Sequence, residues 1–150
     1  MQELNRKVLT TARSENDSNE VMCLMVSGYI IEKSVKGTAN SVKVEEDAEI
    51  AHALRISKRG SIVLAHNHPN LSYFSIEDLK IFVKYPSIKT MTVVTNRGKV
   101  WHITKKNNFS DLEANNIVFD AVSKKGVTYD KALEEALKGL YNMVERNKGW

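Results

Sequence analysis

The sequence predicts a three-layer α/β fold, in which helices cover both faces of a central sheet. Strand-like and helix-like segments are interspersed along the chain, as is typical of this class. The run Ser61-Ile62-Val63-Leu64-Ala65 is continuously apolar, as expected of a strand buried on both faces. The chain has 150 residues, of which 42% are hydrophobic, which is enough for one core but short for two. We therefore expect a single domain over residues 1–150.

The first half of the chain contains a predicted helix, a hairpin and a second helix. Apolar residues at helical spacing predict a short helix from Gln2 to Arg13. Two apolar runs, Val21 to Val26 and Tyr29 to Val35, are separated by Ser27-Gly28. A two-residue connection that contains glycine is a strong signal for a tight hairpin. From Glu45 to Lys58 the apolar residues again recur at helical spacing.

The second half adds three helices and another hairpin. A helix is predicted from Ser75, its N-cap, to Lys84. The segments Thr90 to Thr95 and Lys99 to Thr104 are predicted to be the two strands of a hairpin. A further helix is predicted from Asp111 to Lys124, between a cap at Ser110 and an end at Gly126. Another is predicted from Tyr129 to Asn147, because its apolar residues lie on one face.

Composition excludes several classes of protein. The longest uncharged apolar stretch, Val21 to Ile31, is shorter than the ~20 residues that span a bilayer, so no membrane partner is expected. The amino terminus lacks the charged start, apolar run and cleavage site of a secretory signal. The single cysteine, Cys23, can form no internal disulfide and excludes a cysteine-rich zinc site. A reducing, cytoplasmic location is the expectation.

The charge pattern favours acidic partners only weakly. The net charge is +4, but basic residues are scattered, and the densest groups are the pairs Lys105-Lys106 and Lys124-Lys125. A nucleic-acid surface typically has a stripe of basic residues beside exposed aromatic side chains. These charges are therefore interpreted as solvated surface, and nucleic acid is a weakly supported partner.

Two of the four histidines, His66 and His68, stand together directly after the predicted buried strand. Residues two apart on an extended segment point to the same side, so the two imidazoles can meet at one point. Ser75-Ile76-Glu77-Asp78 opens the next helix, whose first turn carries Asp78 and faces back toward the end of that strand. Two imidazoles and one carboxylate, with a fourth position left for water, are what a catalytic zinc ion requires. The sequence therefore predicts a metal centre formed by His66, His68 and Asp78.

A hydrolytic site also needs a base that takes a proton from water. Glu20, just before the first predicted strand, is the leading candidate, but spacing alone does not separate it from Glu32, Glu45 or Glu77. Ser75 has an ordinary task as a helix cap. A zinc nucleobase deaminase is excluded, because its Pro-Cys-x-x-Cys element needs more than one cysteine.

The run His66-Asn67-His68-Pro69, followed by Ser75-Ile76-Glu77-Asp78, resembles the His-x-His-Pro…Ser-x-x-Asp motif of the JAMM metalloproteases, and it is most similar to the bacterial RadC-like branch. The interval from His66 to Ser75 is one residue shorter than in the commonest family pattern. Three further stretches are similar in order and spacing. These are Asn19-Glu20-Val21, which resembles the family's glutamate-bearing first strand, Lys36-Gly37-Thr38-Ala39-Asn40-Ser41-Val42, which resembles an Arg-Gly-Thr-x-Asn-Ser-Val loop, and Ser61-Ile62-Val63-Leu64-Ala65, which resembles the strand before the histidines.

The resemblance implies a cytidine-deaminase-like JAB/MPN fold with a mixed sheet, its core spanning about 19–104, and carboxy-terminal helices over about 110–147 as an extension. It also implies one zinc ion per chain, bound by His66, His68 and Asp78. Glu20 would activate the water, and Ser75 would help to hold the oxyanion. The implied reaction is hydrolysis of a peptide or isopeptide bond in a peptide or protein substrate.

Two other interpretations remain open from the sequence. In one, the chain is a RadC-like metal-binding module in DNA maintenance or in mobile-element or phage biology, without peptidase activity. In the other, it is a toxin or processing module cut from a larger chain.

Overall fold

The computed structural model describes residues 1–147 and contains one mixed sheet with helices on both of its faces. Within this part of the chain the strands are β1 (Val21–Val26), β2 (Tyr29–Lys36), β3 (Ile62–His68), β4 (Ile88–Thr95), β5 (Val100–Lys105) and β6 (Val144–Arg146). Their order in the sheet is β2-β1-β3-β4-β5-β6. The central strands β3 and β4 are parallel, and the other neighbouring pairs are antiparallel.

Within residues 1–147 the α-helices are α1 (Gln2–Glu15), α2 (Ala48–Ile56), α3 (Ile76–Lys84), α4 (Asp111–Ser123) and α5 (Tyr129–Leu140). Helix α1 packs on one face of the sheet, where Leu4 and Val8 share a buried cluster with Ala65 of β3. The other helices surround a larger core on the opposite face, to which Leu64 belongs. Leu64 and Ala65 point to opposite faces because side chains alternate along a strand. The predicted α/β class is therefore confirmed.

The hairpin predicted between the first two strands is confirmed. Strands β1 and β2 pair antiparallel, with Val26 opposite Tyr29. Ser27 and Gly28 have φ angles of +49° and +86°. Positive φ at both central residues is what a tight turn matched to the strand twist requires. None of the helices in residues 1–147 has the length and apolar character needed to cross a membrane.

The helix predicted from Glu45 to Lys58 is shorter at both ends. Helix α2 begins after Asp47, whose carboxylate accepts hydrogen bonds from the backbone N–H groups of Glu49 and Ile50, both at 3.0 Å. This cap sets the start of α2, and Val44–Glu46 forms a separate 3-10 turn before it. The apolar residues of the predicted range begin at Ala48, the first residue of α2, so the extra residues at its start have no apolar residue to support them.

The prediction that the two histidines follow the buried strand is wrong, because they are its last residues. His66 of β3 pairs with Met22 of β1 on one side and with Val93 of β4 on the other. These two ladders keep the backbone of β3 extended as far as His68, which pairs with Thr95. The imidazoles are therefore held by the centre of the sheet.

The helix predicted from Tyr129 to Asn147 ends at Leu140. A 3-10 turn follows, and β6 then pairs with β5, with Val144 opposite Lys105. A spacing of four residues from Leu140 fits a helix, but Val144 is buried on a strand instead. Pairing with β6 satisfies main-chain groups of β5 that would otherwise be exposed at a sheet edge. This explains why these residues form a strand instead of continuing the helix.

Lys105, at the end of β5, is buried, so its interpretation as solvated surface is wrong. Its side chain is 5% exposed, and its ammonium lies 4.9 Å from the ring centres of both Phe82 and Phe109. The ammonium donates a hydrogen bond to the backbone carbonyl of Tyr85 at 2.9 Å. Burial lowers the pKa of Lys105 to about 8, because the charged form is poorly solvated there.

This pKa predicts that the folded protein becomes more stable as pH rises from about 8 to about 10.4. In that window the unfolded chain still holds the lysine proton and the folded chain has released it, so the free energy of unfolding increases, by about 3 kcal/mol in all. Chemical denaturation at a series of pH values measures the slope. Replacing Lys105 with Met is expected to reduce the slope of the unfolding free energy against pH, whereas the same substitution at the exposed Lys106 should leave that slope unchanged. An unchanged slope in Lys105→Met would contradict the assignment.

Candidate metal centre

The carboxyl end of β3 directs two imidazoles to one point. His66 and His68 are two residues apart and point to the same face, and their Nε2 atoms are 3.1 Å apart. Both side chains are almost completely buried. Asn67 points the other way, where its Oδ1 accepts a hydrogen bond from the backbone N–H of Val21 and its amide donates to Asn96 Oδ1. Asn67 therefore ties the end of β3 to its neighbours and keeps the histidine pair in place.

The first turn of α3 brings a carboxylate to the same point. Ser75 is the N-cap: its Oγ accepts from the backbone N–H of Asp78 at 3.1 Å, and Asp78 Oδ2 accepts from the backbone N–H of Ser75 at 2.8 Å. This reciprocal pair is a capping box, and it fixes the aspartate side chain. Asp78 Oδ1 lies 3.1 Å from His66 Nε2, and Asp78 Oδ2 lies 3.3 Å from His68 Nε2.

The converging atoms have the spacing of ligands around one small cation. Two ligands of a tetrahedral ion with bonds of about 2.0–2.1 Å are about 3.3 Å apart. The two imidazole Nε2 atoms are 3.1 Å apart, and each faces a different oxygen of Asp78: Oδ1 lies 3.1 Å from His66 Nε2 and Oδ2 lies 3.3 Å from His68 Nε2. The three side chains can therefore hold a metal ion, and they form the group of potential ligands found within residues 1–147.

Hydrogen bonding selects the tautomer of His68 that a metal requires. Its Nδ1 lies 2.9 Å from the backbone carbonyl oxygen of Ser72, which can only accept, so Nδ1 carries the proton. In the neutral ring Nε2 then has a free lone pair, directed at His66 and Asp78. Metal-binding histidines are usually oriented through the second nitrogen in this way. His66 Nδ1 is buried without a hydrogen-bond partner among the described residues, so its ring is oriented by packing and by the contacts of Nε2.

The charges at the centre favour a cation. Burial opposes the ionisation of Asp78, but the charges of the two imidazoles and their hydrogen bonds hold the pKa of Asp78 well below its usual range. Burial likewise opposes a charge on His68, and the hydrogen bond and charge of Asp78 outweigh it, so the pKa of His68 is raised. The ionised carboxylate is thus stabilised by protonated imidazoles, and a metal ion bound by the neutral imidazoles would supply the same positive charge.

Glu20 lies beside the three donors without joining them. Its Oε1 is 4.0 Å from His68 Nε2, and its side chain is buried. Burial raises the pKa of Glu20, because its carboxylate is poorly solvated. Its backbone is held by the loop after β2, since Glu20 N–H donates to Thr38 O and Gly37 N–H donates to Glu20 O, both at 2.8 Å.

The structure separates Glu20 from the other three glutamates. Glu45 accepts hydrogen bonds from Lys84 and from the Tyr85 hydroxyl, away from the histidines, and Glu32 is exposed on β2. Glu77 is exposed on the cavity wall. Sequence spacing left these alternatives open because Glu20 reaches the histidines only through the pairing of β1 with β3, which is a tertiary contact.

The metal centre opens into a cavity of about 680 Å³. Glu20, His68, Ser75 and Asp78 line it, together with the loop 40–42 on one side and residues 129, 130 and 133 of α5 on the other. A cavity of this volume is of the size that holds small-molecule or peptide groups. Of the three potential ligands, His68 and Asp78 line this cavity, whereas His66 is completely buried.

Two contacts of the site could not be found from the sequence. Tyr129, the first residue of α5, accepts a hydrogen bond at its hydroxyl oxygen from the backbone N–H of Ile76 at 3.0 Å. That N–H belongs to the first turn of α3, so α5 holds the segment that carries Ser75 and Asp78. Ser72, which sets the His68 tautomer, lies in the loop between the two motif halves. Both contacts depend on tertiary structure, and no local pattern signals them.

Gly37 is required by the loop that holds Glu20. A Cβ at this position would lie 2.1 Å from the backbone oxygen of Ser41 and 2.7 Å from Val42 Cα. We expect Gly37→Ala to lower the free energy of unfolding by about 1–3 kcal/mol, because backbone atoms must move. Urea denaturation measures this, with Ala39→Ser, an exposed change in the same loop, as the control. Equal stability of the two variants would contradict the close approach.

Comparison with protein-family models, with curated proteins and with solved structures finds no match for this chain. Its function has therefore to be inferred from the geometry of the metal centre and from the sequence motifs that the centre contains.

Proposed function

We propose that this protein is a zinc-dependent hydrolase that cleaves an amide bond, of the peptide or isopeptide type. The observation that carries the proposal is the convergence of His66, His68 and Asp78, whose potential ligand atoms lie within 4.8 Å of one another. His68 and Asp78 line a cavity, and the Glu20 carboxyl lies beside them. Structural zinc sites are closed by four protein ligands, whereas catalytic sites have three and keep one position open. The described residues supply three ligands here.

The donor set fits zinc. Imidazole nitrogen is a ligand that zinc shares with copper, iron and nickel, and a single carboxylate completes the His₂-carboxylate set of many zinc hydrolases. Zinc, when bound, supplies a Lewis acid that polarises a substrate carbonyl and makes water nucleophilic near neutral pH. The capping box at Asp78 and the carbonyl of Ser72 beside His68 pre-orient two of the ligands.

Glu20 is placed to move the proton that hydrolysis requires. Its carboxylate takes a proton from the attacking water at Oε1 and then donates it to the leaving nitrogen as the C–N bond breaks. Burial raises the pKa of Glu20, which makes its carboxylate a stronger base than an exposed glutamate. The 4.0 Å separation from His68 Nε2 leaves Glu20 outside the ligand set and free for this role.

Ser75 can stabilise the developing oxyanion. Its oxygen accepts the capping hydrogen bond from Asp78 N–H, so its own hydroxyl proton is not used by the cap. Ser75 also lines the cavity, where that proton can be donated to a substrate oxygen. One side chain thus caps α3 and presents a donor to the reaction site.

The resemblance to the JAMM metalloproteases supports the same roles. The His-x-His-Pro and Ser-x-x-Asp elements match at His66, His68, Ser75 and Asp78, and Glu20 matches the glutamate of the first strand. The α/β fold with its mixed sheet is compatible with a cytidine-deaminase-like JAB/MPN domain. We include that finer fold assignment in the proposal.

The test is metal-dependent cleavage. Protein stripped with a chelator and reloaded with zinc is incubated with a peptide library and with peptides that carry a lysine isopeptide branch, and the products are identified by mass spectrometry. We expect the zinc-loaded protein to cleave a substrate and the stripped protein not to, and we expect added chelator to abolish the cleavage again. Tight zinc binding without cleavage of either substrate class would overturn the hydrolase and favour the metal-binding module without peptidase activity.

A further inference from the structure

A second cavity lies at the end of the sheet opposite the metal centre. It is found where β3 and β4 begin and β5 ends, whereas the histidines lie where β3 ends. Its volume is about 310 Å³, and four of its lining residues are cationic: Arg59, Lys89, Lys105 and Lys106. We call it the basic cavity. Its position separates it from the proposed reaction by the length of β3.

The four cations come from separate parts of the sequence. Arg59 precedes β3, Lys89 lies on β4, and Lys105 and Lys106 are at the end of β5. Because the chain is folded so that these segments meet, a charge pattern that looks scattered in the sequence becomes a local excess of positive charge. Among the residues that line the basic cavity there is no carboxylate.

The existing contacts leave this positive charge incompletely neutralised. Arg59 forms an ion pair with Asp111, which lies next to the cavity. Lys105 donates to the backbone oxygen of Tyr85, and Lys89 donates to the backbone oxygen of Lys105. An ammonium has three N–H donors, so each lysine retains donors beyond these bonds. Carbonyl oxygens are dipoles and do not neutralise a full charge.

The buried position of Lys105 makes an anion favourable here. Burying an ammonium without a charged partner is costly, and the like charges of Arg59 and Lys89 add to the cost, whereas Asp111 reduces it. A negative group in the cavity would lower the energy of these cations together. Guanidinium and ammonium groups are the usual partners of phosphate oxygens.

We propose that the basic cavity binds a phosphate group of a ligand through Arg59, Lys89, Lys105 and Lys106. A neighbouring cavity of about 440 Å³ shares Lys89, Lys105 and Lys106 with it but is also lined by Glu145, so we assign the phosphate to the basic cavity. Phe109, the aromatic residue on the wall of the basic cavity, is 6% exposed and offers no platform for a base. Recognition is therefore of the phosphate and not of a base.

The test measures binding of three probes by isothermal titration calorimetry: inorganic phosphate, adenosine monophosphate, and a single-stranded oligodeoxynucleotide. The variant Arg59→Gln/Lys89→Gln removes two cations from residues that are not fully buried. Its control, Lys124→Gln/Lys125→Gln, removes the same charge from an exposed pair on another part of the surface. We expect at least one probe to bind the parent, and the first variant to bind it at least about tenfold more weakly than the control does.

The three probes distinguish the source of the phosphate. Binding of inorganic phosphate or the mononucleotide indicates a small phosphorylated ligand. Binding of the oligonucleotide alone, with an affinity that falls steeply as salt is raised, indicates a nucleic-acid backbone. Failure of all three to bind, or an equal loss in the two variants, overturns the proposal. Circular dichroism and thermal denaturation of each variant establish that the fold is intact, so the outcome is independent of the proposed metal binding and hydrolase activity.

Discussion

Substitution of Asp78 by Asn is expected to reduce the zinc content of the purified protein from about one ion per chain to about a tenth of that or less. The neutral amide is a poor replacement for the carboxylate that faces His66 Nε2 at 3.1 Å and His68 Nε2 at 3.3 Å. Asn also keeps the capping geometry, because its side-chain oxygen can still accept from the backbone N–H of Ser75. The loss is therefore attributable to the ligand and not to the helix.

Metal analysis after dialysis measures this loss, and thermal denaturation provides a second readout. A ligand that binds the folded state alone raises the melting temperature. Added zinc is thus expected to stabilise the parent and to have little effect on Asp78→Asn or His66→Ala. Asp130→Asn, an exposed change on the same cavity wall, is the control and should behave as the parent does. A zinc content in Asp78→Asn equal to that of the parent would rule out Asp78 as a ligand.

Local patterns predicted most of the fold because most elements are specified by local spacing. The β1–β2 hairpin follows from two apolar runs separated by Ser27-Gly28, and the start of α3 follows from the N-cap at Ser75. Two of the errors occur where distant segments decide the outcome. β3 extends through His68 because β1 and β4 pair with it, and β6 forms because it covers the edge of β5. Spacing within one segment cannot reveal which distant strands will pair with it.

The candidate site likewise contains residues that local patterns predict and residues that only tertiary contacts bring together. His66, His68 and Asp78 could be grouped from the sequence, because the strand period sets the direction of the first two and the capping turn that of the third. Tyr129 could not, since its hydroxyl reaches α3 from a helix more than fifty residues away. The basic cavity was missed for the same reason, because its four cations meet only in the folded chain.

Replacement of Glu20 by Gln is expected to leave the zinc content unchanged and to slow amide hydrolysis by about 10²–10⁴-fold. Gln has nearly the shape of Glu and cannot take a proton from water. Because Glu20 lies 4.0 Å from His68 Nε2 and outside the ligand group, its loss should not release the metal. The variant thus separates proton transfer from metal binding, which the ligand substitutions cannot do.

The pH dependence gives a sharper test of the same residue. Glu20 must be ionised to act as the base, and burial raises its pKa, so the parent rate is expected to fall on the acid side at a higher pH than an exposed glutamate would produce. That acid limb should be absent from the residual rate of Glu20→Gln. Glu77→Gln, which changes an exposed carboxylate on the same cavity wall, should keep both the rate and the limb. Zinc content unchanged in both variants would show that the metal centre itself was intact. If Glu20→Gln then retained the parent rate and Glu77→Gln lost it, the base would be Glu77, one of the alternatives that spacing alone left open.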